Sequence, residues 1–127
     1  MSTKNLKFSK DHEWVKAEGK KAYIGITDFA QHALGDIVFV ELPKTGVKLA
    51  AGKAFASVES VKAVSEIFSP VSGSILSVNK ELENSPELVN KDPYGSWIVM
   101  VELDNPDELN SLMNDEQYGE FCKNEKV

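Results

Sequence analysis

Apolar positions along the chain fall in short runs rich in Val, Ile and Phe. Glycine and proline interrupt them at frequent intervals: Gly19, Gly25, Gly35, Pro43, Gly46, Gly52, Pro70, Gly73, Pro86, Pro93 and Gly95. Short apolar runs between turn signals predict the strands of a sandwich or barrel. The runs put strands near Leu6–Ser9, Trp14–Glu18, Lys21–Ile26, Ile37–Glu41, Ala54–Val61, Ala63–Phe68, Gly73–Val78 and Ser96–Leu103. Within Ala54–Val61 the two-residue period sets Ala54, Ala56 and Val58 on one face, toward a core. Pro70 closes the strand after it.

Three segments carry the helical period instead. Thr27 can cap Asp28–Leu34, with Gly35 as the stop. Asn105-Pro106-Asp107-Glu108 combines a cap, a first-turn proline and acids at the positive end of the helix dipole, and Leu109, Leu112 and Met113 keep helical spacing. Asn114 with Gln117 reads as a capping box for a last helix bearing Tyr118, Phe121 and Cys122. The expectation is a mainly β chain with a short helix near Asp28–Leu34 and a helical tail over about 105–124. A weak repeat also emerges, Val40–Gly52 against Val78–Asn90, each a strand running into a polar loop. It predicts two halves related by a pseudo-twofold.

One lysine stands out against this pattern. Lys62 lies between Val61 and Ala63 in an apolar, β-branched run, Val58 to Gly73. A lysine in a core costs several kcal/mol unless its charge is paired or removed. At the tip of a hairpin it costs nothing and presents one amine for chemistry. Glu59 and Glu66 flank it closely enough to keep that amine protonated and solvated. A plain surface turn lysine is the simpler reading of these residues alone.

Composition narrows the classes. The 127 residues suit one domain with a core of its own. A formal charge of −6 argues against nucleic acid as a partner, since phosphate neutralisation needs clustered Lys and Arg. It is compatible with docking on basic protein surfaces. No apolar run approaches the length of a membrane span, and the N-terminal stretch MSTKNLKFSKDHEW shows neither a signal nor a transit peptide pattern. A single cysteine, Cys122, suits a reducing compartment, and the cytoplasm is expected. His12, Glu13, Asp28 and His32 lack metal-ligand spacing, and Cys122 has no sequence-visible base, so neither a metal centre nor a thiol nucleophile is expected.

The segment Gly52–Gly73, with Glu59-Ser60-Val61-Lys62-Ala63, resembles the lipoylation hairpin of the glycine cleavage system H-protein family. His12–Val15, Gly25–Gln31, Leu34–Pro43, Ser69–Gly73, Val78-Asn79 and Asn90–Trp97 resemble further blocks of that family, in order, so the likeness runs from about Leu6 to Cys122. The residues beside Lys62 set the chain apart from two relatives. Biotin carrier domains have methionine on both sides of their lysine, and lipoyl domains of 2-oxoacid dehydrogenase complexes have Asp before it. Here Val61 and Ala63 stand there.

The resemblance implies a lipoyl/biotinyl-type barrel-sandwich hybrid, one carrier domain over residues 1–127, and no enzymatic activity of its own. It implies lipoate in amide linkage to Lys62, attached by a lipoate ligase or an octanoyl or lipoyl transferase. It further implies a monomeric shuttle for the aminomethyl group of glycine. Glycine decarboxylase would load it, aminomethyltransferase would unload it, and dihydrolipoamide dehydrogenase would reoxidise it. The loaded arm is expected to fold into a cleft on the carrier, where Glu13 would hold the cationic amine, with Ile26, Leu34 and Glu66 as companions. Without that role Glu13 reads as a solvated strand charge and Trp14 as a packed strand aromatic. Asp11 and Ala33 depart from the serine and histidine that family members carry at these places. A lipoyl relay to other proteins, and a β-rich binding module with Lys62 unmodified, are the competing readings.

Overall fold

Two-residue periodicity becomes two antiparallel sheets in the computed structural model, which describes residues 5–124. The ends of the expected domain, residues 1–4 and 125–127, lie outside the described residues. Nine strands form among those described: β1 (Lys7–Phe8), β2 (Glu13–Glu18), β3 (Lys21–Ile26), β4 (Ile37–Glu41), β5 (Lys48–Leu49), β6 (Ala54–Ser60), β7 (Val64–Phe68), β8 (Gly73–Val78) and β9 (Val99–Leu103). One sheet has the order β1-β2-β3-β9-β8-β5 and the other β4-β6-β7. Ala22, Ile24, Ile75, Val99 and Val101 of the first sheet share a core with Val40, Ala56, Val58 and Ile67 of the second. Each valine or isoleucine among them contributes roughly 1.5–3 kcal/mol on leaving water.

The expected strands form: β3, β4 and β8 with the expected bounds, β1, β6, β7 and β9 with trimmed ends, and β2 one residue longer, from Glu13 instead of Trp14. Ala54 is the exception in orientation: it is exposed, while Ala56, Val58 and Ser60 point inward. The register of β6 against β7 shifts between Ala54 and Ala56, and that one irregularity turns Ala54 to the other side. The strand expected to start at Ser96 starts at Val99, because the Ser96 hydroxyl donates to Leu88 O (2.9 Å) and holds the approach to the strand. β5, only two residues long, carries too little pattern to be seen in the sequence.

Helix α1 (Asp28–Leu34) forms as expected, with the Thr27 hydroxyl accepting from Ala30 N (3.2 Å) and Gly35 at φ +84 as its stop. The second half of the sequence repeat is helical: α2 (Glu81–Asn84) and α3 (Leu88–Lys91) occupy its loop and bury Leu82 and Val89. The tail differs in one element. Residues Pro106–Ser111 form a 3-10 turn rather than an α-helix. Met113 exchanges two backbone hydrogen bonds with Phe8, each 2.8 Å, so the chain must be extended again by that point. The Glu108 side chain ties this turn to the loop before β8, accepting from Ser72 N (2.7 Å) and Ser72 Oγ (2.9 Å). Helix α4 (Asp115–Lys123) follows with the expected Asn114–Gln117 capping box.

A smaller aromatic cluster covers the outer face of β2. Trp14 is 2% exposed, its indole N–H donates to Pro93 O (3.0 Å), and Phe8 stacks on Tyr118 at 4.5 Å. Trp14 is therefore the packed strand aromatic. Gly25, its cross-strand partner, lies under the indole: a Cβ there would fall 2.6 Å from Cε2 and Cζ2. Gly25→Ala should cost about 1–3 kcal/mol through overpacking, read as a lower denaturant midpoint at unchanged slope. Adding Trp14→Phe, which removes the ring under that contact, should leave less than the sum of the two losses.

Candidate functional site

Lys62 sits where β6 turns into β7, in a three-residue reversal of Val61, Lys62 and Ala63. The buried Ser60 builds this turn. Its Oγ accepts from Lys62 N (3.2 Å) and Ala63 N (3.0 Å), and its N–H donates to Ala63 O (2.7 Å). Both amides that a tight reversal leaves without strand partners are thereby satisfied. Val61 and Val64, flanking the tip, are 70% and 67% exposed. The Lys62 side chain is exposed, and among the described residues no hydrogen bond or ion pair holds its Nζ.

The tip is fixed against α1. Val61 N donates to Asp36 O (3.0 Å), and the Lys62 Cε lies near Gly35 at the end of the helix. Asn90 locks that junction from below. Its Oδ1 accepts from Ile37 N (2.8 Å), and its amide donates to Gln31 Oε1 (2.8 Å) and Gly35 O (2.9 Å).

Glu13 marks the far end of the same strip. It starts β2, pairs with Ile26 on β3, and its Oε2 accepts from Phe68 N at the end of β7 (3.3 Å). Ile26 leads through Thr27 into α1, so the helix and β7 run between the same two ends. From Lys62 to Phe68 the chain covers about 20 Å at ~3.3 Å per residue. Lys62 and Glu13 are too far apart to touch directly. Leu34 is half-buried beside Gly35, and Ile26 is buried in the core. Glu66 is exposed, lining a shallow depression with Glu41, Ser57 and Val64, and makes no hydrogen bond or ion pair with Glu13 or Lys62 among the described residues. The structure thus brings Glu13 and Ile26 together, sets Leu34 at the Lys62 end, and turns Glu66 toward solvent.

Glu13 is not a solvated strand charge. It is 3% exposed, and Ser9 Oγ donates to its Oε1 at 2.5 Å. Burial raises its pKa from 4.5 to about 7, opposed by the Ser9 hydrogen bond, reinforced by the Asp11 charge and opposed again by Phe68 N–H. His12, just before it, adopts φ +68. Its Nδ1 shares a 2.6 Å hydrogen bond with Tyr118 Oη, which bonds in turn to Thr27 Oγ1 at 2.7 Å. Ser9, Ser60 and Asn90 carry roles that sequence reasoning missed. A serine two residues before Lys62 and one four before Glu13 were the available signals.

An amide on Lys62 Nζ suits this setting. It would remove the ammonium charge without leaving any carboxylate among the described residues short of a partner. Those residues hold no group of three His, Cys, Asp or Glu side chains that could bind a metal.

The family model for the glycine cleavage H-protein matches residues 6–125. The chain belongs to that family. It is 62% identical over 120 residues to the glycine cleavage system H protein of Alkaliphilus oremlandii, covering 94% of each chain. It is 55% identical to that of Thermoanaerobacter sp. strain X514, covering 94% of this chain and 95% of that one. The crystal structure of a glycine cleavage system H protein from Mycobacterium marinum superposes with a TM-score of 0.86 at 34% identity, over 94% of this chain and 98% of that one. The barrel-sandwich architecture expected from the sequence is therefore correct. The chain is a lipoyl carrier of the glycine cleavage system, not an enzyme, and works with the enzymes of that system. No helix among its described residues is long and apolar enough to cross a membrane.

Two outcomes follow. Ser60→Ala should speed hydrogen exchange at the Lys62 and Ala63 amides by about fivefold, the equivalent of one hydrogen bond of ~1 kcal/mol. The buried Glu13 gives the second. A carboxyl whose folded pKa exceeds its unfolded value binds more protons when folded, so stability falls as pH rises. Unfolding free energy should therefore drop between about pH 4.5 and 7, by on the order of 3 kcal/mol at ~1.4 kcal/mol per unit. In Glu13→Gln that slope should disappear from denaturation curves collected across the window.

Proposed function

We propose that Lys62 is the lipoyl attachment residue and that the strip between α1 and β7 is the resting track of the arm. The observation that carries this reading is the hairpin tip itself. Its amine stands clear of every hydrogen bond and ion pair among the described residues, on a turn stitched by Ser60 and pinned to Asp36. Rigid backbone with a free side chain is what an acyl-transferring enzyme requires of its acceptor. When bound, lipoate supplies a strained cyclic disulfide that opens readily to accept the aminomethyl group and yields a dithiol on its release.

The protein's own residues supply the rest. The α1 end and Leu34 flank the root of the arm, and Glu13 with Ile26 closes the distal end of the track. An ionised Glu13 is the partner for a cationic amine there, and the buried surroundings limit water access. Glu66 guards the open side of β7. The handovers run from glycine decarboxylase to aminomethyltransferase, then to dihydrolipoamide dehydrogenase, with a lipoate ligase or an octanoyl or lipoyl transferase installing the arm. Residues 1–127 act as one carrier domain, a monomer in the cytoplasm. The acidic balance of −6 favours fast encounter with basic enzyme surfaces.

Intact-mass measurement after expression with ample lipoate should show one lipoyl increment on the wild type and none on Lys62→Arg. A wild type without the increment, beside a control substrate that the same ligase modifies, would overturn the assignment. Glu13→Ala should take up lipoate normally and yet hold the loaded arm less well, read as faster loss of the aminomethyl group. An unchanged lifetime would remove Glu13 from the track.

A further inference from the structure

A buried carboxylate needs donors, and Glu13 has one from each sheet. β7 supplies Phe68 N–H to Oε2, and the turn between β1 and β2 supplies the Ser9 hydroxyl to Oε1 at 2.5 Å. Ser9 is itself buried, at 9% exposed. The turn is already closed by main-chain bonds: Ser9 N donates to Glu13 O (2.9 Å), His12 N to Ser9 O (3.2 Å), and Thr27 N to His12 O (3.1 Å). The hydroxyl also accepts from Glu13 N (3.0 Å), so it grips the same residue at backbone and side chain. Its proton is left with one use, the carboxylate.

We propose that Ser9 is a positioning residue: its hydroxyl favours the ionised form of the Glu13 carboxyl and turns it toward β7, ready for a cationic group. This rests on the reading of Glu13 as the distal end of the arm track. One donor on each oxygen leaves a second lone pair on each for such a ligand. Without the Ser9 donor, burial and the like charge of Asp11, the charged side chain acting on it from its own turn, would hold a proton on Glu13 at neutral pH. β3 sets the apolar Ile26 opposite, and β7 offers only the Phe68 amide there. A protonated Glu13 is a donor itself and no longer attracts a cation.

The test is a side-chain carboxyl 13C NMR titration of the unlipoylated protein, with Glu13→Gln assigning the resonance. In Ser9→Ala the Glu13 midpoint should move up by about one pH unit, since a hydrogen bond to a charged group is worth ~1.5 kcal/mol or more. Ser9→Thr, which keeps the hydroxyl, should restore it. If Ser9→Ala does not fold, Ser9→Cys, with its weaker donor, replaces it and should shift the midpoint in the same direction. A Glu13 midpoint equal to wild type in the folded variant would overturn the proposal. The same titration on lipoylated protein, followed by NMR line widths of the arm, separates the two readings. A shifted midpoint with unchanged arm behaviour supports Ser9 and counts against Glu13 as the arm's distal partner.

Discussion

Asn90 is the fixed point from which the working end of this molecule is built. Three hydrogen bonds from one side chain define where α1 stops, where Gly35 turns and where β4 begins. β4 pairs with β6, β6 with β7, and their shared turn carries Lys62. Displacing the α1–β4 junction would displace the hairpin register with it. The tip inherits its order from a half-buried amide some distance along the sequence.

The same economy governs Glu13. A carboxyl at 3% exposure would ordinarily be neutral, and burial does raise its pKa to about 7. Donors from two sheets, Ser9 and Phe68, offset part of that cost. The outcome is a group near its midpoint at neutral pH, whose charge responds to small changes around it. Such a site suits a carrier better than a permanent anion would, because the cargo has to leave again.

The strands were legible because short apolar runs, such as those holding Ile75, Val99 and Val101, are bounded by turn residues. The Asn114 capping box was legible because its signature is local. What escaped reading was set by distant partners. Ala54 turned outward at a register shift that no single strand records. The Pro106–Ser111 segment tightened because Phe8, far away in sequence, pairs with Met113. Lys62 was visible as a lone amine in an apolar run, whereas the burial of Glu13 required knowing that the end of β7 meets it. Leu82 and Val89 are buried by two separate four-residue helices in a stretch that reads as polar loop, each too short to show a helical period.

The pairing of Phe8 with Met113 joins the two ends of the described chain in one seam, reinforced by Phe8 stacked on Tyr118. During synthesis the first strand leaves the ribosome long before its partner exists. β1 and β2 can pair early, yet Trp14 waits for Pro93 and Tyr94, and Phe8 stays uncovered until the last helix brings Tyr118. Closure of the molecule is therefore a late, long-range event. The strands that present the lysine, β4, β6 and β7, lie close together in sequence and can pair first. The tail then covers the aromatic surface left open behind them.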